Sequence, residues 1–311
     1  MDNLAAQGIL LGVIATGIRL ATPYLLAALG EMFTQRSGIY NLGLEGVMLM
    51  GAFTGFYTAL VTGSPYLGLL AGMIVGGLMG VVMGIVSITL KAEQGISGIG
   101  LYLFGWGLSG LFYRLYVGGI TTIEGLKPVK IPLLGDIPYI GSALFEHGIV
   151  VYLAFLLVPV CWFVLFKTAW GLKVRAVGTT PQAADTLGVS VDGIRYQCLI
   201  LGSIMGGLAG AALTIGNSHM FADNIIAGRG FIAVALVYFG RWNPWGILVG
   251  SLLFSMADSV QLWVQVLGIN FPYEMAVILP YVVTIFALAM TFGRIWVPAA
   301  LGRPFVRGVR G

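Results

Sequence analysis

Long apolar stretches follow one another along almost all of the 311 residues, separated by short polar, glycine- or proline-containing connections. A helix needs about 20 apolar residues to cross the hydrocarbon core of a bilayer. The pattern therefore predicts an all-α polytopic membrane protein with about nine transmembrane helices. The predicted spans are residues 8–29, 43–62, 67–89, 99–117, 149–166, 195–215, 228–240, 245–266 and 274–292. Because the segment 228–240 is short, we expect it to begin deep in the membrane or to follow a re-entrant stretch.

The composition agrees with this pattern. Hydrophobic residues make up 58% of the chain and charged residues 9%, and the mean hydropathy is +0.96. A soluble domain carries about 25% charged residues, so a soluble enzyme, a secreted disulfide scaffold and a disordered protein are excluded. Cys161 and Cys198 lie in apolar runs without metal-site spacing, and we expect them to be packing residues.

The basic residues predict the orientation in the membrane. Lys and Arg concentrate in connections that fall on one side if the spans alternate, above all in 167–195 and in the tail 293–311. The positive-inside rule makes that side cytoplasmic, and the long connection 118–148 is then external. Nine spans place the C-terminus in the cytoplasm and the N-terminus outside. The start of the chain lacks a basic n-region, so we expect no cleavable signal peptide, and residues 1–311 are predicted to form a single transmembrane domain.

Glycines recur every four residues in two predicted spans, which predicts grooves where helix backbones approach closely. These glycines are Gly72, Gly76, Gly80 and Gly84 in one span and Gly202, Gly206 and Gly210 in the other. The span pairs 43–89 and 228–266 run in opposite directions, and each contains a short polar-Pro connection, at 64–65 and at 243–244. An inverted repeat, common in transporters, is one interpretation of this similarity, and a chance match is the other.

The sequence contains no catalytic constellation. It has no phosphate-binding G-x-x-x-x-G-K-[ST] loop, no H-E-x-x-H motif and no Cys/His cluster. Uphill transport would therefore draw its energy from an ion gradient or from a partner. Arg19 and Asp258 both fall inside predicted spans, where ionisable groups are costly, and they could pair for structural or functional reasons. A membrane-embedded enzyme acting on lipid is disfavoured because the groups it needs are missing.

The connection 167–195 is long for a turn and predicts a short helix at the cytoplasmic mouth. Thr180 is a suitable N-cap and Pro181 fits the first helical turn. Gly188 can take the left-handed conformation that ends a helix. The small apolar face consists of Ala183, Ala184 and Leu187. Such a helix suits docking into a groove of another protein, although an ordinary interfacial helix has the same pattern.

Three motifs carry a resemblance to a known family. Residues 171–188 contain Ala-Val-Gly-x-x-Pro-x-Ala-Ala-Asp-x-x-Gly, which resembles the coupling-helix region of ATP-binding-cassette importer permeases. The branch is the ribose/branched-chain amino-acid permease superfamily. Residues 31–46, with Arg-Ser-Gly and Asn-Leu-Gly-Leu-Glu-Gly, and residues 228–246 are similar to the nucleoside-type permeases that work with Bmp-type binding lipoproteins. The resemblance covers most of the chain.

The resemblance implies an importer subunit in the bacterial inner membrane. Its partners would be a second, related permease, an ATPase subunit that binds ATP and Mg, and an external substrate-binding lipoprotein or periplasmic protein. The chain itself would hold no cofactor and no metal, and it would bind no nucleic acid. The implied substrate is a nucleoside. A simple sugar such as ribose comes second and branched-chain amino acids third, and a self-contained ion-coupled carrier remains the alternative mechanism.

The resemblance also implies site residues. The implied contacts with the ATPase are Pro181, Ala184, Asp185, Leu187 and Gly188. The implied pathway residues are Asn41, Glu45, Phe104, Trp106, Asn217 and Phe221. Polar amides and aromatic faces suit a nucleobase and a ribose.

Overall fold

The computed structural model describes residues 2–130, 132, 135, 140–266, 278, 282 and 297–307, and it is largely helical. The helices are α1 (Asp2–Arg36), α2 (Leu44–Thr62), α3 (Pro65–Gly84), α4 (Gln94–Tyr116), α5 (Ile140–Phe145), α6 (Ile149–Lys167), α7 (Ala169–Thr179), α8 (Pro181–Thr186), α9 (Val191–Ala212), α10 (Arg229–Phe239) and α11 (Pro244–Val266). Helices α3 and α9 each continue into a π-helical turn, at Ile85–Thr89 and Leu213–Ser218. Two short strands, β1 (Val129–Lys130) and β2 (Glu146–His147), pair in antiparallel fashion.

Seven helices in the described part of the chain are long and apolar enough to cross a membrane. They are Gly8–Arg36, Leu44–Thr62, Pro65–Thr89, Gln94–Tyr116, Ile149–Lys167, Val191–Ser218 and Pro244–Val266. The predicted short segment 228–240 is helix α10. The predicted span 274–292 lies outside the described residues. The polytopic all-α prediction is therefore confirmed, although α1 extends about two turns beyond its predicted end at residue 29.

Helix α9 forms the centre of the bundle. It is the most buried of the spans, and α1, α2 and α3 pack directly against it. We call the end of the bundle that carries α7 and α8 the basal end. The opposite end, which carries β1, β2 and the start of α6, is the distal end. Free Cys161 and Cys198 are buried in the core, as predicted.

Glycines allow α3 and α9 to meet backbone to backbone, which confirms the groove predicted along α3. A methyl group on Gly72 would lie 2.7 Å from the Ala211 side chain. On α9, however, the residue that faces α3 is Gly207, which lies outside the predicted set. Gly202 instead faces α1 at Gly30, and the other two predicted glycines of α9 face α2. One helix therefore uses different glycines toward each of three neighbours.

We expect Gly207→Val to prevent normal packing of the bundle. A side chain at this position would collide with the backbone of Gly72 and Gly76, which cannot move independently of α3. Overpacking in a tight core costs about 1–3 kcal/mol or more. The measurement is the thermal unfolding midpoint and monodispersity of the detergent-purified chain. Gly107→Ala is the control, because no atom lies within 4 Å of the methyl group that it adds. Equal stability of the two variants would contradict this packing.

The segment 297–307 packs across the basal end of the bundle. The backbone N–H of Ala300 donates to the carbonyl of Gly178 at 3.0 Å. The buried Arg195 on α9 donates to the carbonyl of Arg303 at 3.1 Å. The tail thereby joins the end of α7 to the start of α9.

Candidate functional site

A break in one membrane-crossing segment lies beside α4. Residues 219–228 run without regular helix from the distal end, and α10 begins only at Arg229. Four residues of this stretch have left-handed backbone conformations, namely His219, Asn224, Ala227 and Gly228. The Phe231 ring lies 5.3 Å from that of Tyr102, which is about 12 Å into α4. Helix α10 therefore begins inside the bundle, as its short length predicts. We call residues 219–239 the broken span.

Glu45 caps the start of α10. Its carboxylate accepts hydrogen bonds from the backbone N–H groups of Gly228 at 2.8 Å and Gly230 at 2.6 Å. Glu45 is only 1% exposed, so water cannot replace it. A helix N-terminus carries a partial positive charge and unpaired N–H groups, and a carboxylate satisfies both. Glu45 thereby holds the broken span to α2, and its predicted place in a pathway stays a prediction.

Asp258 also stabilises the broken span. The Tyr24 hydroxyl on α1 donates to the Asp258 carboxylate on α11 at 2.7 Å, and Arg229 lies close enough to interact with that carboxylate electrostatically. A pairing of Asp258 with Arg19, which the sequence leaves possible, is not among the ion pairs of the described residues. Arg19 donates instead to Thr16 on its own helix, at 3.4 Å.

A polar recess lies on the outward face of α4, beside the broken span. Arg114 pairs with Asp223 at 3.0 Å, and both side chains are substantially exposed. Trp106, 41% exposed, stacks on Tyr102 with ring centroids 6.1 Å apart. The recess has a volume of about 400 Å³. Its lining residues are Trp106, Gly107, Gly110, Leu111, Arg114 and Asp223. We call it the α4 recess.

Helix α4 has an N-cap at the basal end. The backbone N–H groups of Ile96 and Gly95 donate to the Glu93 carboxylate at 2.6 and 3.0 Å. These bonds favour the ionised form and hold the pKa of Glu93 below its usual value. Glu93 is exposed to solvent, unlike the buried cap of α10.

The other predicted pathway residues are dispersed. Phe104 is exposed on α4. Asn41 is buried in the α1–α2 connection, where its side-chain oxygen accepts from the N–H of Gly43 at 3.1 Å. Phe221 is buried among aromatic rings, with Tyr113 at 5.0 Å. Asn217 donates to the Arg19 carbonyl at 3.4 Å, at the distal end. Of the six predicted residues, Trp106 alone lines the α4 recess.

The short helix α8 forms at the basal end, where the sequence predicts it. Gly188 is left-handed at φ 80°. Its N–H donates to the carbonyl of Asp185 at 2.9 Å, and the next N–H, of Val189, donates to that of Ala184 at 3.0 Å. This pair of bonds is the Schellman motif that ends helices. Thr180 occupies the N-cap position, as predicted, although its side chain makes no capping hydrogen bond.

Helix α8 presents one face to the bundle and one to the outside. Pro181 and Ala184 are buried against the chain's own helices. They therefore anchor α8 to the bundle, and their predicted contact with an ATPase stays a prediction. Leu187 is 84% exposed. Asp185 pairs with Arg307 of the tail at 2.9 Å.

The comparisons with known proteins agree with this architecture. Residues 13–288 match the family described as "Branched-chain amino acid transport system / permease component". The chain belongs to this permease family. Among the described residues, no group of three or more His, Cys, Asp or Glu could hold a metal ion.

Three relatives resemble this permease over most of its length. The guanosine ABC transporter permease protein NupQ of Bacillus subtilis is 36% identical, with 93% of this chain and 95% of the relative covered. The nucleoside ABC transporter permease protein NupC of Lactococcus lactis is 35% identical, with 95% and 96% covered. A permease provisionally assigned to glucose, TsgC13 of Haloferax volcanii, is 40% identical, with 83% and 79% covered.

A solved structure shows the same fold. It is an inward-facing conformation of a metal-chelate type ABC transporter, with a TM-score of 0.50 and 17% sequence identity. The match covers 90% of this permease and 85% of that chain.

Sequence reasoning missed several residues of the permease that organise its site. Asp223 and Arg229 lie in the broken span, and Gly230 receives the cap from Glu45. The sequence did contain one signal: charged residues lie immediately before and after an apolar segment that is too short to cross the membrane. That signal marks a discontinuous helix, but it does not identify the partners.

Proposed function

We propose that this permease forms the membrane pathway of an ATP-driven importer for nucleosides. In this assembly the basal end faces the cytoplasm and an ATPase subunit, in the bacterial inner membrane. A second permease subunit faces the α4 recess, and an external binding protein delivers substrate at the distal end. The positive-inside distribution of Lys and Arg supports this orientation.

The α4 recess carries this proposal. It places an aromatic face, Trp106, beside a carboxylate, Asp223, and a guanidinium, Arg114. A nucleobase stacks on aromatic rings, and ribose hydroxyls donate to carboxylates. An ion pair exposed on a spanning helix is costly against lipid. The recess is therefore better surrounded by protein and water than by lipid. The similarity to guanosine and nucleoside permeases supports the same substrate class.

The mechanism we infer is alternating access. ATP binding on the partner would move α8, and the anchors Pro181 and Ala184 would pass that motion to the helices against which they are buried. The broken span, held by Glu45 to α2, provides a segment that can shift relative to α4. In many transporters, discontinuous helices form the substrate site near the bilayer midplane.

We expect Trp106→Ala to raise the KM for nucleoside uptake about tenfold. Stacking of a base on an aromatic side chain contributes about 1–3 kcal/mol. The measurement is uptake of labelled guanosine into proteoliposomes that contain the permease with its ATPase, second permease and binding protein. Trp245→Ala is the matched control, because Trp245 is similarly exposed but begins α11 at the basal end. An unchanged KM for Trp106→Ala would remove the recess from the pathway.

Two other outcomes would replace the proposal. Glucose uptake that excludes guanosine would favour the sugar alternative, which the similarity to TsgC13 supports. Uptake by this chain alone with only an ion gradient would show that it is a self-contained carrier.

A further inference from the structure

A second, separate cavity lies at the distal end, between α1, the start of α6 and the π-helical end of α9. Its volume is about 280 Å³. The polar residues in its lining are Arg19, Thr22, Glu146, His147, Asn217 and His219. No residue of the α4 recess contributes to it. We call it the distal cavity.

Two of its groups have unused hydrogen-bonding capacity. Arg19 is exposed, and its one side-chain hydrogen bond among the described residues is the long contact with Thr16. No described carboxylate lies within ion-pair distance of it. Thr22 is only 4% exposed, and its hydroxyl has no partner within the described part of the chain. A buried hydroxyl without a partner costs about 1–3 kcal/mol, so a ligand that supplies an acceptor is favoured.

An apolar groove of about 470 Å³ adjoins the distal cavity and shares His147 and Val151 with it. Ile14 and Ile18 of α1, Phe155 of α6 and Met256 of α11 line the groove. Three spanning helices contribute to this apolar lining, which places the groove at the depth of the bilayer hydrocarbon.

We propose that the distal cavity and the groove together bind one phospholipid of the distal leaflet. Its phosphate accepts hydrogen bonds from the Arg19 guanidinium and the Thr22 hydroxyl, and an acyl chain lies in the groove. Glu146 shares the cavity lining, so a singly charged phosphodiester is better accommodated than a free phosphate dianion. The bilayer supplies such a ligand at high local concentration.

The position of the cavity gives the lipid a structural consequence. Asn217 and His219 in the lining lie where α9 ends and the broken span begins. A headgroup in this cavity therefore lies between α1 and the start of the broken span. The binding proposal does not depend on the transported substrate.

The test measures lipid retention by the purified full-length chain. The protein is delipidated in mild detergent, incubated with dioleoyl phosphatidylglycerol, and examined by native mass spectrometry. Two probes test the phosphate and the acyl chains one at a time. Dioleoylglycerol lacks the phosphate, and inorganic phosphate lacks the acyl chains. We expect the phospholipid to be retained and both partial probes to be lost. Retention of dioleoylglycerol or of inorganic phosphate equal to that of the phospholipid would overturn the proposal.

Variants locate the site. Arg19→Gln and Thr22→Val are each expected to reduce retention at least fivefold. Ile14→Trp, which fills the groove without changing charge, should do the same. Lys127→Gln is the matched control, because Lys127 is an exposed cation of the same distal region that does not line the cavity. Far-UV circular dichroism checks that each variant is folded. Folded Arg19→Gln with wild-type retention, or equal loss in Lys127→Gln, would refute the assignment.

Discussion

Leu187→Arg is expected to lower substrate transported per ATP hydrolysed at least tenfold while leaving the permease folded. Leu187 lies at the end of α8 and is 84% exposed, so the substitution costs the isolated chain little, within about 0.5 kcal/mol. In the assembly that we propose, the outward face of α8 docks on the ATPase, and an arginine in an apolar contact leaves a desolvated charge without a partner. The measurement is the ratio of uptake to ATP hydrolysis in proteoliposomes.

Two further substitutions test whether the effect is specific to the outward face of α8. Leu90→Arg places the same charge on an exposed leucine in the α3–α4 connection at the same end of the bundle, and we expect normal coupling. Ala184→Arg introduces the charge at a position that is 3% exposed, and we expect this variant to misfold. A wild-type uptake-to-hydrolysis ratio in Leu187→Arg would show that α8 does not transmit the motion.

Glu45→Ala is expected to destabilise the permease by roughly 2–6 kcal/mol, at about 1–3 kcal/mol for each buried N–H left unpaired. The N–H groups of Gly228 and Gly230 lose their acceptor inside the bundle, where water cannot substitute. We expect a lower yield from membranes and a lower midpoint of thermal unfolding, with uptake lost because α10 loses its anchor on α2.

The structure offers a matched control for this substitution. Glu93 also accepts from two backbone N–H groups at a helix start, those of Gly95 and Ile96, but it is exposed, so water can replace its carboxylate. Glu93→Ala should therefore leave the unfolding midpoint almost unchanged. Glu45→Gln, which keeps one acceptor oxygen, should fall between the two. If Glu45→Ala and Glu93→Ala unfold at the same temperature, the cap does not hold the broken span.

The spans and α8 could be predicted from the sequence because their signals are local. Uninterrupted hydropathy identifies a spanning helix without knowledge of its neighbours. Pro181 and Gly188 mark the start and end of α8 by their own backbone preferences. The shortness of 228–240 likewise showed that α10 begins inside the bundle.

The partners of buried polar groups could not be predicted, because they depend on contacts distant in sequence. Glu45 meets Gly228 across 183 positions, and Tyr24 meets Asp258 across 234. Which face of α8 meets the bundle depends on its packing, so the sequence did not show that Ala184 is buried against the chain's own helices. The sequence left a pairing of Arg19 with Asp258 open, and only the structure shows that each side chain bonds elsewhere.

The tail places a constraint on how the protein is made. Residues 297–307 are translated later than every span described above. Until they emerge from the ribosome, the carbonyl of Gly38 lacks the N–H of Gly302, and Arg195 keeps only its bond to the carbonyl of Ser37. A polypeptide stalled before residue 300 therefore contains the described helices, but Arg195 lacks one of its two backbone acceptors. The basal end therefore reaches its native contacts only after the described spans have been synthesised, which makes it the last part of the bundle to be stabilised.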